Sequence, residues 1–193
     1  MATRAIVFDC FGVLVMAGHA LLYQQYPQFS SDIEKLQYLS DSGEISRQEF
    51  NQTLGKLIGI TPEQADERYW GINKYNQPMI DLARKLKSTG KYKIGLLSNI
   101  NRDWMDKILP VFSEEKLFDA MVLSGDVHLM KPDPQIFKLA AEKLGAEPEE
   151  CIMIDDSTMN IFGAERAGMK GIIYKSLEQT EFEVSRILEP ENA

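Results

Sequence analysis

The sequence is poor in the two residue types that bind soft metal ions. Its 193 residues include two cysteines, Cys10 and Cys151, and two histidines, His19 and His128. Zinc sites are built largely from clustered cysteine and histidine, and these four residues do not supply such a cluster. The cysteines are predicted at opposite ends of their strands, too far apart for a disulfide at about 3.3 Å per residue. Any metal that binds should therefore have oxygen ligands.

Positive charge and long apolar runs are also scarce. Lysine and arginine number 21 against 29 aspartate and glutamate residues, which gives a net charge of −8. This balance disfavours nucleic acid and anionic membranes as partners, because both require clustered basic residues. No apolar run approaches the roughly 20 residues that span a bilayer, and the N-terminus shows no signal-peptide pattern. We therefore expect a cytoplasmic protein.

The stretch from Ala5 to Val15 carries the first functional indication. Ala5 to Phe8 is a short apolar run with the composition of a strand buried on both faces. Asp9 follows it directly, and Gly12 then bends the chain. A carboxylate at the end of a buried strand is costly unless it is paired or coordinated, and ligands bind at that end of parallel strands. Asp9 is therefore the candidate nucleophile.

The next sixty residues follow a helical pattern. Three capping boxes predict helix starts, at Ser31–Glu34, Ser46–Glu49 and Thr61–Gln64. No strand pattern is present between Met16 and Asn76. We predict an all-helical insertion over residues 15–76, between the first strand and the rest of the chain.

From Gln77 onward, strand and helix patterns alternate. Strands are predicted over 92–97, 118–123, 151–154 and 171–174, with helical patterns between them. The helix that Asn101 caps is predicted to stop at Pro110. Such alternation favours an α/β fold with a parallel sheet in the middle of three layers. Residues 1–14 and 77–193 are predicted to form this core.

Polar residues follow the predicted strands at their carboxyl ends. They are Asp9, the pair Ser98 and Asn99, Lys131, and the pair Asp155 and Asp156. Each alone has an ordinary explanation as a loop start, a solvated lysine or a helix cap. Taken together and in this order, they are similar to the four motifs of the haloacid dehalogenase superfamily, whose members have a Rossmann-like α/β core. The chain resembles members that carry a small all-α cap after the first strand.

This resemblance implies a magnesium site and a covalent nucleophile. Asp9 would attack phosphorus to give an aspartyl-phosphate, which splits one difficult hydrolysis into two displacements. Oxygens of Asp9 and Asp156 would bind Mg²⁺ together with the backbone carbonyl of Phe11, and Asp155 would act beside the metal through water. Asn160 matches a position that some relatives use near the site.

The resemblance also assigns the phosphate-binding groups. Lys131 would hold Asp9 and the phosphate together, and Ser98 with the backbone of Asn99 would bind phosphate oxygens. A small helical cap suits a small phosphorylated metabolite as the substrate, although the residues do not identify which one. They do not predict an oligomeric state either.

Phe11 departs from the superfamily pattern. The first motif reads Asp-x-Asp-x-Thr/Val, and Asp9 and Val13 fit it, but Phe11 occupies the second Asp position. That Asp is the usual general acid and base, a contribution typically worth about 10²- to 10⁴-fold in rate. Three functions stay open: a Mg²⁺-dependent phosphatase, a weak or inactive binding module, and a 2-haloacid dehalogenase. The last works without metal, so the Asp155–Asp156 pair counts against it, as does Val13 where those enzymes carry Thr.

Other residues are weaker candidates for the missing functions. His19 and His128 have a suitable pKa for a substitute base, and His128 is favoured because it precedes the Lys131 loop. Arg47 in the insertion is a candidate for substrate binding, although it also fits a solvated helix face.

Overall fold

The computed structural model describes residues 2–16, 19–71, 73–113 and 116–188. The strands are β1 (Ala5–Phe8), β2 (Val15–Met16), β3 (Lys74–Tyr75), β4 (Lys93–Ser98), β5 (Ala120–Leu123), β6 (Cys151–Asp155) and β7 (Lys170–Ile173). The helices are α1 (His19–Gln25), α2 (Ser30–Asp41), α3 (Arg47–Ile58), α4 (Pro62–Trp70), α5 (Gln77–Ser88), α6 (Arg102–Ser113), α7 (Ser124–Val127), α8 (Pro134–Leu144), α9 (Thr158–Ala167) and α10 (Leu177–Leu188). Short 3₁₀ helices lie at Pro27–Phe29 and Pro148–Glu150.

The main sheet is parallel, with the strand order β5-β4-β1-β6-β7. Strand β1 lies in its centre, where Ala5 pairs with Lys93 of β4 on one side and with Cys151 of β6 on the other. Side chains of β1 alternate between two apolar clusters. Ile6 and Phe8 pack with residues of α5 and α6, whereas Ala5 and Val7 pack with residues of α8 and α9. The sheet is thus covered on both faces, and the predicted three-layer α/β fold is confirmed.

This topology brings the candidate site residues to one edge of the sheet. Because the strands are parallel, Asp9, Ser98 and Asp155 all lie at the carboxyl edge of adjacent strands. The cysteines lie at opposite ends of the sheet, as predicted, and both are free and buried. None of the helices in the described ranges combines the length and apolarity needed to cross a membrane.

Between β1 and α5 the chain forms the segment that we call the helical insert, residues 15–76. It contains helices α1 to α4, and it begins and ends with β2 and β3, which pair antiparallel. The prediction that this stretch contains no strand is therefore wrong. Two-residue strands are too short to leave an alternating pattern in the sequence, and here they pair where the chain leaves and re-enters the core.

Two of the three predicted capping boxes form. Ser46 and Glu49 exchange backbone and side-chain hydrogen bonds at the start of α3, as do Thr61 and Gln64 at α4. The box predicted at Ser31 is wrong, because a 3₁₀ turn leads directly into α2 and the helix already begins at Ser30. The predicted end of α6 at Pro110 is also wrong, since the helix continues to Ser113. Proline removes one backbone donor but keeps a helical φ angle, so a final turn can form beyond it.

Candidate active site

The centre of the site is a buried lysine held between two carboxylates. Lys131 Nζ lies 2.8 Å from Asp9 Oδ1 and 2.6 Å from Asp155 Oδ2. The side chains of Lys131 and Asp155 are 2% and 0% exposed, and that of Asp9 is 8% exposed. Burial of a lysine at this depth is tolerated only because opposite charges surround it. The lysine therefore fixes the distance between the ends of β1 and β6.

The loop that carries Lys131 is held by Asn99. The Lys131 backbone N–H donates to Asn99 Oδ1 at 2.9 Å, and Asn99 Nδ2 donates to the Lys131 carbonyl at 3.0 Å. Helix α9 packs closely against the same loop, because a Cβ on Gly163 would lie 2.2 Å from the Pro132 carbonyl oxygen. The Asn99 side chain thus positions Lys131.

Asp155 is the anchor of the cluster. Its Oδ1 accepts from Ser157 N at 2.9 Å and from Asn160 Nδ2 at 3.0 Å. Its Oδ2 accepts from Lys131 Nζ at 2.6 Å and from Asn160 Nδ2 at 3.1 Å. Both oxygens are engaged by protein donors, so this carboxylate positions Lys131 and Asn160.

The charged groups in this cluster shift one another's pKa values. Burial raises the pKa of the Asp9 carboxyl above its ordinary value, while the Lys131 ammonium opposes the rise and the Asp155 and Asp156 carboxylates add to it. Burial lowers the pKa of Lys131, but Asp9 and Asp155 outweigh that effect and the net pKa lies above its ordinary value. Lys131 therefore stays cationic. Asp9 would ionise more readily if a further cation approached, because opposite charge favours the charged form.

The carboxylates form an oxygen donor set suited to such a cation. Ligand oxygens of Asp9, Asp155 and Asp156 lie within 4.8 Å of one another. Hard divalent ions such as Mg²⁺ prefer carboxylate, carbonyl and water oxygens. Gly12 makes room for this arrangement, because a Cβ at that position would lie 2.2 Å from Asp156 Oδ2. Gly12 also has a left-handed φ of 87°, a conformation that glycine adopts without strain.

A cavity of about 230 Å³ opens beside Asp9. Its walls come from the sheet edge and from the helical insert, and they comprise Asp9, Phe11, Gln37, Asp41, Tyr69, Trp70, Asn73, Ser98, Asn99, Ile100, Trp104, Lys131 and Asn160. Ser98, which is 1% exposed, ends β4 at the floor of this cavity. The structure therefore brings Asp9, Phe11, Ser98, Asn99 and Lys131 to one cavity.

Aromatic rings form one wall of the cavity. Phe11 meets Trp70 edge to face, with ring centroids 6.2 Å apart. Trp70 stacks on Trp104 at 5.4 Å with an interplanar angle of 17°. In place of the acidic side chain of the superfamily pattern, Phe11 thus joins an apolar surface contributed by α4 and α6.

The sequence did not identify several of these wall residues. Gln37, Asp41 and Asn73 reach the cavity from the helical insert, and helical periodicity gives no reason to select them. Asp41 carried one weak signal: it is the last residue of α2, where the helix dipole disfavours a negative charge.

The weaker sequence candidates lie elsewhere. His128 is exposed and caps α7, on a groove outside the cavity. Arg47 donates through Nε to Asp66 Oδ1 at 2.7 Å and lies 5.1 Å from the centre of the Trp104 ring, within the helical insert and its contact with the core. His19 begins α1, and its side chain lies outside the described part of the structure.

Comparisons with known proteins point to one family. Residues 3–168 match the family model of the haloacid dehalogenase-like hydrolases. The pyrophosphatase PpaX of Bacillus cereus strain G9842 is 33% identical, over 88% of this chain and 82% of the relative.

Solved structures agree with the sequence match. An enzyme of the same family from Bacteroides thetaiotaomicron, crystallised with magnesium and inorganic phosphate, has a TM-score of 0.76 and is 25% identical, over 90% of this chain and 95% of that chain. A structure described as a predicted HAD-like family hydrolase from Porphyromonas gingivalis also has a TM-score of 0.76 at 26% identity, over 97% of this chain and 98% of that chain.

Proposed function

This chain belongs to the haloacid dehalogenase-like hydrolase family, and we propose that it is a Mg²⁺-dependent phosphatase that takes the phosphoryl group of a small phosphorylated metabolite onto Asp9. The observation that carries this proposal is the Lys131 ammonium, 2.8 Å from Asp9 Oδ1 at the floor of the cavity. A carboxylate nucleophile and a phosphate repel each other, so a fixed cation beside both favours their approach. The relatives support the same reaction class, one through its name as a pyrophosphatase and another through its bound magnesium and phosphate.

Each residue of the site would have a separate role in the reaction. Asp9 attacks phosphorus, the alcohol leaves, and water then cleaves the aspartyl-phosphate. Lys131 holds the attacking carboxylate and the phosphate at a short distance. The Ser98 hydroxyl and the Asn99 backbone N–H bind phosphate oxygens, while the Asn99 side chain keeps Lys131 in place through the two hydrogen bonds of the loop.

The carboxylate cluster suits one Mg²⁺ ion. Asp9, Asp156 and the Phe11 carbonyl would hold it, and Asp155 would contact it through water because its own oxygens already accept from Lys131, Ser157 and Asn160. When bound, Mg²⁺ neutralises phosphate charge and orients the phosphate for attack.

The helical insert would act as the cap over this site and select the leaving group. It supplies Trp70 and other walls of a cavity of about 230 Å³. Drug-sized ligands occupy pockets of about 300–1,000 Å³, so the space suits a small metabolite. Aromatic walls favour a leaving group with an apolar or planar face.

The test is phosphate release from a panel of sugar and nucleotide phosphates, with Mg²⁺ and with EDTA. We expect release in Mg²⁺ that EDTA stops and that Asp9→Asn abolishes. The matched control is Asp32→Asn, which makes the same chemical change at an exposed position on α2 and should keep full activity. Wild-type protein that releases no phosphate above the Asp9→Asn level would refute the proposal, and halide release from 2-haloacids would then be measured.

A further inference from the structure

The reaction proposed above needs a group that protonates the leaving alcohol, and Phe11 does not supply one. On the assumption that the proposed function is right, a substitute must have an exchangeable proton and reach the same cavity as Asp9. Asp41 meets both conditions, because it lines that cavity together with Asp9, at the end of α2. We propose that Asp41 is the general acid and base of this enzyme, supplied by the helical insert in place of the second Asp of the first motif.

The backbone around Asp41 is tied to the core. The Asp41 carbonyl accepts a short hydrogen bond from the Ser124 hydroxyl, which in turn accepts from Ile100 N at 2.8 Å, just beyond the phosphate-binding residues. The neighbouring Ser40 hydroxyl accepts from Trp104 Nε1 at 3.0 Å. Asn101 Nδ2 donates to the Ile45 carbonyl at 3.2 Å. These hydrogen bonds fix the backbone at Asp41 relative to the core.

The turn after Asp41 is pressed against the same part of the core. Gly43 has a φ of 80°, and a Cβ there would lie 2.6 Å from the Gly125 carbonyl oxygen. Two glycine backbones thus meet where the insert contacts α7. This close approach leaves no space for the turn to move toward the core, so the position of Asp41 is set by backbone packing.

Burial keeps a proton on Asp41, against the effect of two of the groups that face it. Gln37, one turn earlier on α2, donates to its carboxyl, and Gln37 itself accepts from the Tyr23 hydroxyl of α1 at 2.8 Å. From α4 the facing group is Tyr69; from the core they are Asp9 and Lys131. Burial raises the pKa of Asp41 to about 8, with the Asp9 charge adding to the rise and Gln37 and Lys131 opposing it. At neutral pH most of the Asp41 carboxyl is therefore protonated, as a general acid must be.

The two steps then balance. As the bond between Asp9 and phosphorus forms, the bond between phosphorus and the leaving oxygen breaks, and Asp41 gives its proton to that oxygen. A water oxygen next attacks phosphorus, the bond to Asp9 breaks, and the Asp41 carboxylate takes one proton from that water. Ester and water have become alcohol and phosphate, with Asp9 and Asp41 back in their starting states.

The experiment compares two leaving groups in Asp41→Asn, with Asp32→Asn as the control. One ester is the best alkyl phosphate found in the substrate panel, and the other is p-nitrophenyl phosphate, whose phenolate leaves without a proton. We expect kcat/KM to fall about 100-fold or more for the alkyl ester and less than about tenfold for p-nitrophenyl phosphate. Both esters are measured on one preparation, so a partly folded sample lowers both values equally and leaves their ratio unchanged.

A second measurement on the same variant, the time course of p-nitrophenol release, tests the role of Asp41 as the base. If Asp41 is also the base, aspartyl-phosphate should accumulate in Asp41→Asn, seen as a burst of p-nitrophenol followed by a slow phase. Equal losses for the two esters, or no loss, would overturn the acid role, and a linear time course would overturn the base role. Wild-type protein that hydrolyses neither ester would instead refute the proposed function, and this inference with it.

Discussion

On the sheet side of the cavity buried charges meet opposite charges at hydrogen-bond distance, whereas on the insert side a half-buried carboxyl has a neutral amide as its partner. Lys131 contacts two carboxylates at 2.8 and 2.6 Å. Asp41 instead has Gln37 as its hydrogen-bond partner. The first arrangement keeps Lys131 cationic, and the second keeps a proton on Asp41. Under the proposed function, the sheet edge would hold phosphate and metal, and the insert would hold the leaving group and move its proton.

The aromatic rings of the cavity wall fit that division. Trp70 and Trp104 stack beside Phe11, and Tyr69 lies 5.0 Å from Trp104 between ring centroids. Such rings exclude water from one side of the cavity and offer faces for packing. A water-poor wall raises the cost of an ionised carboxyl there, which is the same effect that keeps Asp41 protonated.

The largest effect that would sharpen this comparison is expected from Lys131→Met. The substitution leaves Asp9 and Asp155 buried without their shared cation, and breaking a buried pair in this way typically costs about 3–5 kcal/mol. We expect a loss of that size in the free energy of unfolding, measured by urea denaturation in EDTA. Lys138→Met, at an exposed position on α8, should change it by less than about 0.5 kcal/mol.

A small loss in Lys131→Met, similar to that of the control, would contradict the picture of a charge-paired sheet edge. It would mean that Ser157 and Asn160 alone are sufficient for Asp155, and that Asp9 takes up a proton at little cost. The two sides of the cavity would then be held by the same kind of contact.

The sheet side could be predicted from the sequence, and the insert side could not. Asp9 directly follows a buried strand, and Ser98 and Asp155 end theirs, so a parallel sheet gathers them whatever the details of the loops. Asp41 is separated from the core in sequence, and contacts of α2 with α6 and α7 bring it to the cavity. The bonds that fix it, from Ser124 and Trp104, join residues 83 and 64 positions apart. The pattern of residues along a single helix does not predict contacts between residues so far apart in the sequence.

Local signals failed in a similar way within the insert. The boxes at Ser46 and Thr61 form because each precedes an isolated helix start. The residues at Ser31 fit the same pattern, yet the preceding 3₁₀ turn had already begun the helix. Gly12 was expected only to bend the chain, and its contact with Asp156 depends on the pairing of β1 with β6.

A smaller effect is expected beside the proposed Mg²⁺ site, from Gly12→Ala. Its Cβ would overlap the Asp156 carboxylate at 2.2 Å, and the side chain must turn away from its place beside Asp9. Gly90→Ala is the matched control, because Gly90 also has a left-handed φ, of 66°, but open space around it. Both variants should lose about 1–3 kcal/mol of stability from the backbone strain.

Only Gly12→Ala should also weaken Mg²⁺ binding, by about tenfold, equivalent to about 1.4 kcal/mol. The measurement is the Mg²⁺ concentration that half-saturates the increase in Tm, since an ion that binds the folded state stabilises it. Equal Mg²⁺ titrations in the two variants would mean that Asp156 is not held in place by the absence of a side chain at Gly12.

The last effect concerns the proton on the insert side and is measured by thermal unfolding in EDTA. Because the pKa of Asp41 is raised to about 8 in the folded state, that state holds a proton that the unfolded state releases near pH 4. The stability from this group is full below the unfolded pKa and is lost as pH rises through the folded pKa, so Tm should fall between pH 5 and pH 8.

Asp41→Asn has no proton to lose, and we expect its Tm to fall by about 3–6 °C less for each pH unit within that range, the change that about 1.4 kcal/mol produces in a protein of this size. Asp32→Asn should follow the wild-type protein, because Asp32 is exposed. A slope in Asp41→Asn that equals the wild-type slope would assign the whole decline to other groups, such as Asp9. The insert side would then hold no proton of its own, and the contrast between the two sides of the cavity would be reduced to their aromatic and charged contacts.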